Sequence, residues 1–313
     1  MKFIFSIFFS LILFTSCQEA VKKKSVQKEE PAVVNTSYLN SMEPRNVSNN
    51  LIIKDISDLI GYWVGDFQPD KDEELIKKFI ETDQSSWKFY KKLNLSIDSI
   101  SGENVYGHSV VSGTRRPLNG SYKKEGDIYV FLLLEPGDDK FDGKFEFTIN
   151  ENDSEIVGTW KAFGKVKMFS RVYTLRKILF QYDANKELES RYIDQNKMKE
   201  KKSIYEDEEY IEESYFTTSA SVFDFNSSLK ELSIKDVENL SKADIYILRN
   251  SIYARHGYSF KSAQLSSYFQ EQSWYYPVKS DIKKELSELE KKNINLLMRY
   301  EKNAEEYYDV FGR

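Results

Sequence analysis

His256 is one of two histidines in this chain, and it stands in the run Tyr253-Ala254-Arg255-His256-Gly257 with an arginine directly before it. An imidazole assisted by a guanidinium is the equipment of a general acid or base. The same position offers a second role. Apolar residues at Ile245, Leu248 and Ile252 repeat at the three-and-four spacing of a buried helical face. Gly257 then supplies the left-handed residue on which helices end. His256 falls in that last turn, where its ring nitrogens can cap free carbonyls and its charged form complements the helix dipole. No serine or cysteine nucleophile can be assigned to it, so the structural role is favoured and no catalytic residue is named.

The other chemically able residues read in a similar way. His108 lies inside the strand-like segment 105–111, and with the two histidines far apart a zinc shell would need carboxylates. Asp138, Asp139 and Asp142 cluster before Gly143. They would serve a paired-carboxylate hydrolase only if they flanked a cleft, whereas turn formation needs nothing more. The acid run 206–209 with Glu212-Glu213 lacks the regular ligand spacing and central glycine of a calcium loop. Trp274-Tyr275-Tyr276 could stack on sugar rings, or pack over the helix that ends at His256, with Pro277 ending the local turn. There is no phosphate loop, dinucleotide fingerprint or metalloprotease helix, and no metal or cofactor is expected.

The remaining candidate is Cys17, the one cysteine of 313 residues. It follows an apolar run, 3–14, preceded by Lys2. Such a run is too short to span a bilayer at about 1.5 Å per residue but suits a signal-peptide core. Phe14-Thr15-Ser16-Cys17 resembles a bacterial lipobox, departing from it at Phe14, where leucine is usual. The resemblance implies a thiol occupied by lipid, hence no disulfide, zinc knuckle or cysteine nucleophile. More than one acyl chain gives stable attachment. Gln18 is not the aspartate that resembles an inner-membrane retention signal, which points to the outer membrane of the cell envelope.

These residues must be positioned by recognisable elements. Residues 17–54 lack hydrophobic period and carry Lys22-Lys23-Lys24 and Glu29-Glu30, the pattern of a flexible tether. From 55 to 180 the pattern is alternation, with strands predicted at 61–67, 93–100, 105–111, 118–124, 128–134, 144–149, 156–163 and 170–177. Ser101-Gly102, Ser112-Gly113, Glu125-Gly126 and Pro136-Gly137 supply turns between them. About eight antiparallel strands with short links suggest a meander closed into a barrel, which removes open edges. Leu75, Phe79 and Ile80 suggest a helix in 70–89, and a generic sheet packed on that helix is the alternative to a barrel. Residues 181–225, with lysines at 197–202 before the acid run, read as a charged connector, solvated helix or linker. From 226 to 313 the chain is helical, with Ser233, Ser241 with Asp244, Ser262 and Ser287 opening successive helices.

Two resemblances follow. Tyr253-Ala254-Arg255-His256-Gly257, then Trp274-Tyr275, then Glu290-Lys291-Lys292-Asn293 are similar, in order and separation, to the bacterial YARHG domain. That family implies an extracytoplasmic module, often of lipoproteins, and no reaction. Gly61-Tyr62-Trp63 at the opening strand resembles the start of a lipocalin-type barrel, and Gly158-Thr159-Trp160 repeats the unit. In that family a basic residue of the last strand covers the tryptophan, so Arg171 or Arg176 is expected over Trp63 by cation–π contact. Trp63, Trp160, Arg171 and Arg176 thus become candidates for ligand contact or packing.

With 45 Lys+Arg against 50 Asp+Glu, the formal charge of −5 argues against nucleic acid as a partner. The expected organisation is α+β: signal peptide 1–16, lipidated Cys17 and tether to 54, β-barrel 55–180, connector 181–225, helical domain 226–313. The expected role is membrane-anchored binding or scaffolding, with a small apolar ligand or an envelope protein as partner. A hydrolase acting on cell-wall polymer and a protein-docking module are the alternatives.

Overall fold

A computed structural model of the chain describes residues 53–70, 89–205 and 208–307. The signal peptide, Cys17, the tether up to residue 52 and residues 71–88 of the helix predicted at 70–89 lie outside the described residues.

Eight strands follow in order: β1 (Gly61–Pro69), β2 (Lys91–Ser101), β3 (Asn104–Val111), β4 (Thr114–Glu125), β5 (Ile128–Leu134), β6 (Gly143–Asn150), β7 (Glu155–Ala162) and β8 (Ser170–Ile178). Each pairs antiparallel with the next and β8 returns to β1, so the sheet closes as a barrel. Period-two alternation decides what faces inward. On β2 these are Leu93, Leu95 and Ile97; on β6 they are Phe145, Phe147 and Ile149, all under 4% exposed. The rings stack through the interior, Phe131 on Phe147 at 4.6 Å and Phe67 edge-on to Trp160 at 5.9 Å. Eight strands give a bore that side chains can fill, and here they do.

Closure at this radius requires sharp strand bends, and glycine marks them. A Cβ on Gly65 would lie 2.0 Å from the Thr174 carbonyl oxygen, and one on Gly120 would lie 1.9 Å from that of Leu132.

After β8 the predicted connector turns out to hold a two-stranded sheet, β9 (Ile193–Tyr205) with β10 (Glu208–Thr217). Tyr192 and Thr218 exchange backbone and hydroxyl hydrogen bonds at its base. Tyr192, Phe216 and Val222 sit in the core of the helical region. The expectation of a solvated spacer is therefore corrected: apolar residues at both ends of the charged blocks anchor the hairpin.

Among the described residues four helices follow: α1 (Ile234–Val237), α2 (Lys242–Arg255), α3 (Ala263–Gln270) and α4 (Glu288–Tyr307). Ser241 and Asp244 form a reciprocal capping box at the start of α2. The buried Asp244 carboxylate also accepts from the Ser219 backbone and hydroxyl at 2.7 and 2.8 Å. Leu248 of α2 and Leu297 of α4 are both fully buried in the shared core.

The helical region leans on the barrel wall. Val278 packs with Val64 and Ile178, flanked by Tyr62, Phe180 and Tyr276. The amide of Gly113, in the β3–β4 turn, donates to the Ser259 hydroxyl at 3.0 Å. Gly257 serves this junction as well as the end of α2. Its φ of +75° allows its amide to reach the Ala254 carbonyl at 2.9 Å. A Cβ there would also strike Phe180 at 2.7 Å and Val278 at 2.8 Å.

Candidate functional site

The signature residues converge on one buried polar centre. His256 is the C-cap of α2, 3% exposed, and its Nε2 lies 3.1 and 2.9 Å from the two oxygens of Glu290, which is 0% exposed. Tyr182 donates its hydroxyl to Glu290 at 2.9 Å and stacks its ring on the imidazole, centroids 4.1 Å apart. The Ser287 amide adds a third bond to the carboxylate at 3.0 Å. Burial works against ionisation of Glu290, but the bonds from His256 and Ser287 and the imidazole's charge outweigh it, holding the carboxyl at about 2. An ionised Glu290 accepts only, so Nε2 brings the hydrogen. Nδ1 is buried without a hydrogen-bond partner, 4.0 Å from a Glu285 oxygen.

The other signature residues also face inward. Arg255 donates to the Lys186 carbonyl at 2.7 Å and the Ser251 hydroxyl at 2.9 Å. Burial lowers its pKa to about 10. Asn293, one turn along α4 from Glu290, accepts from the Leu232 amide and donates to the Ser227 and Lys230 carbonyls, all within 2.9 Å. Ala254 lies in the core, and Tyr253 lies partly buried beside Tyr258. Trp274 donates its indole N–H to the Glu187 carbonyl at 2.7 Å, and the buried Tyr275 bonds the Tyr258 carbonyl. This aromatic block ties the hairpin's approach to the helices; it does not form an open stacking surface.

A second polar centre, absent from the sequence reading, closes one end of the barrel. Glu135 continues the inward parity of β5 and is 5% exposed. It accepts from the Gly143 amide at 2.7 Å, the Trp160 indole at 3.2 Å and the Ser109 hydroxyl at 3.2 Å. Arg116, opposite Ser109 on β4, pairs with Asp142 at 2.8 Å and approaches Glu135 at 3.9 Å. Burial raises the Glu135 carboxyl above its ordinary range despite those bonds. Asp142 is held low instead, because the Asp139 and Gly137 amides and Arg116 overcome its burial. Asp142 thus shapes its turn and also neutralises a half-buried arginine. Arg116→Ala should destabilise the fold by about 2 kcal/mol, since two backbone amides still hold Asp142 once its cation is gone. Thermal melts read this, and an unchanged midpoint would refute it.

The cation–π expectation needs correction. Neither arginine covers Trp63. Arg171 lies over Phe67 at 4.9 Å and donates to the Phe67 and Phe89 carbonyls. Arg176 pairs with Glu155 at 2.6 Å. The basic residue in register with Trp63 is Lys177, which donates to the Asp58 carbonyl, while Trp63 donates its own indole N–H to Leu59 at 2.8 Å. The strand register selects Lys177, since an in-register pair shares one face of the sheet. His108 bonds Asp98 at 2.8 Å on the outer face of the barrel. Among the described residues no group of three His, Cys, Asp or Glu side chains is placed to hold a metal ion. Nor is any described helix long and apolar enough to cross a membrane.

The fold and its centres define a closed antiparallel barrel joined to a helical module, and residues 223–302 of that module match the YARHG domain family. The structure is also similar to the crystal structure of Echinococcus granulosus fatty-acid-binding protein 1, at 15% identity and a TM-score of 0.23, over 38% of this chain and 97% of that one. No curated protein matches the chain.

Proposed function

We propose that this protein is a lipid-anchored envelope protein, held through Cys17, whose barrel and YARHG domain form one rigid body that binds or scaffolds other components at a membrane surface. The observation that carries the binding role is the placement of its chemically able side chains. His256, Glu290 and Arg255 are each no more than 3% exposed and are occupied with one another's neighbours. The barrel bore is filled by its own rings, so recognition falls to the outer surface and the barrel ends. A small apolar ligand would find its place at such an end, against exposed rings.

The hydrolase alternative has one feature in its favour. Glu135 and Asp142 titrate in opposite directions beside one arginine, the split that separates an acid from a base. At 5% and 1% exposure they leave a polymer strand no approach, and binding remains the better reading.

The anchor is supported by the lipobox resemblance at Phe14-Thr15-Ser16-Cys17. Cys17→Ser should move the protein from the membrane fraction to the soluble fraction and abolish incorporation of labelled palmitate. Persistence of the variant in membranes, or absence of label in the parent, would sink the anchor.

A further inference from the structure

One end of the barrel carries apolar side chains that the core does not use. The link between β7 and β8 reads Phe163-Gly164-Lys165-Val166-Lys167-Met168-Phe169, apolar residues interleaved with two lysines and no acid. Phe163 is 52% exposed, and both lysines are exposed. The neighbouring β5–β6 link adds Phe141, 51% exposed, with the Lys140 ammonium 4.8 Å from its ring centroid. The two links are bound side by side, the Phe163 amide donating to the Asp142 carbonyl at 2.9 Å. Of the acids in the β5–β6 link, Asp139 and Asp142 face Arg116, at 3.6 and 2.8 Å, and Glu135 turns inward. Asp138 remains exposed at the surface.

We infer that this end of the barrel seats on an anionic lipid surface, with Phe163 and Phe141 entering the headgroup boundary and Lys140, Lys165 and Lys167 meeting lipid phosphates. Aromatic rings and lysines side by side match the interface of a bilayer, where rings take the apolar boundary and ammonium groups the headgroups. The negative potential of such a surface attracts each of the three lysines, and they act together with the rings on a chain already held nearby. The inference rests on the proposed anchor only for that proximity. The 36 residue steps between Cys17 and Ile53 reach at most about 130 Å, enough for either end of the barrel to face the membrane.

The test is a dye whose emission rises and shifts to the blue on leaving water, attached to Phe163→Cys in the full chain on phosphatidylcholine vesicles with and without phosphatidylglycerol. Acylated Cys17 does not react, so the introduced thiol takes the label. Ile128→Cys, at the opposite end of the barrel, is the comparison. A several-fold rise is expected at position 163 with anionic vesicles, little at 128, and loss of the rise in Lys165→Glu/Lys167→Glu. A water-like signal at 163 on vesicle-bound protein, an equal rise at 128, or indifference to phosphatidylglycerol would each overturn the inference. If the unsubstituted chain takes dye at Cys17, the anchor has failed. Phe163→Cys in a Cys17→Ser background then still decides the docking by the same comparison.

Discussion

His256→Ala should lower stability by about 4 kcal/mol, because removing one partner of a buried pair strands the other's charge. The stranded group is Glu290, fully buried on α4 and left with the Tyr182 hydroxyl and the Ser287 amide. Tyr182 also loses the ring it stacks on at 4.1 Å. For a body of this size the melting midpoint should fall by roughly 10 °C. Tyr182→Phe keeps the stacking and forfeits one hydrogen bond, so it should cost only about 1 kcal/mol. Equal midpoints for His256→Ala and the parent would show that the pair does not hold the fold.

Acid provides an independent check on the same pair. The Glu290 carboxyl ionises at about 2 in the folded chain, against 4.5 for an ordinary glutamate. A lowered carboxylate stabilises the fold fully above the unfolded value and loses that contribution as pH falls toward the folded one. The parent should therefore weaken between about pH 4.5 and 2. In His256→Ala, burial of Glu290 is no longer offset by the imidazole, and this part of the decline should vanish or reverse. Unfolding by denaturant across that range reads the difference in slope.

The second large effect belongs to the barrel. Gly120→Ala would place a methyl 1.9 Å from the Leu132 carbonyl oxygen and 2.9 Å from the Leu133 Cα. Both neighbours are backbone of the paired strand, since Gly120 is in register with Leu133. No rotamer change relieves the clash, so β4 and β5 must separate where the sheet bends. A cost of about 3 kcal/mol is expected, the upper range for overpacking. Gly102→Ala is the proper comparison: its φ is +58° but its surroundings are open, leaving a backbone cost of about 1 kcal/mol. If denaturant midpoints fall equally for the two, close approach is not what Gly120 provides.

The eight barrel strands were legible because each alternates apolar and polar residues and most are separated by glycine turns. The predicted segment 128–134 coincides with β5, whereas β4 begins at Thr114, four residues before the prediction, since Arg115 and Arg116 hide its start. The β9–β10 hairpin was illegible for a different reason. Its register sets Lys201 against Glu212, but also Glu200 against Glu213, Lys202 against Ile211 and Lys199 against Ser214, so charged residues of both signs interrupt any apolar stripe along it. The His256–Glu290 pair joins residues 34 apart on different helices, and no local period reports such a contact. Glu135 did carry a signal, as it extends the inward series Tyr129, Phe131 and Leu133 by one more step. Parity alone excluded Arg176, whereas Arg171 shares the face of Lys177 and only the pairing register with Trp63 separates the two.

Val278 belongs to the helical half of the chain yet completes an apolar cluster with Val64 and Ile178 of the barrel. The YARHG portion is consequently not an interchangeable bead on a string. Excised by itself it would bare that valine and Tyr276, and grafted onto another partner it would need a wall of matching shape. A partner that covered this seam would have to displace those side chains from one another before it reached either half.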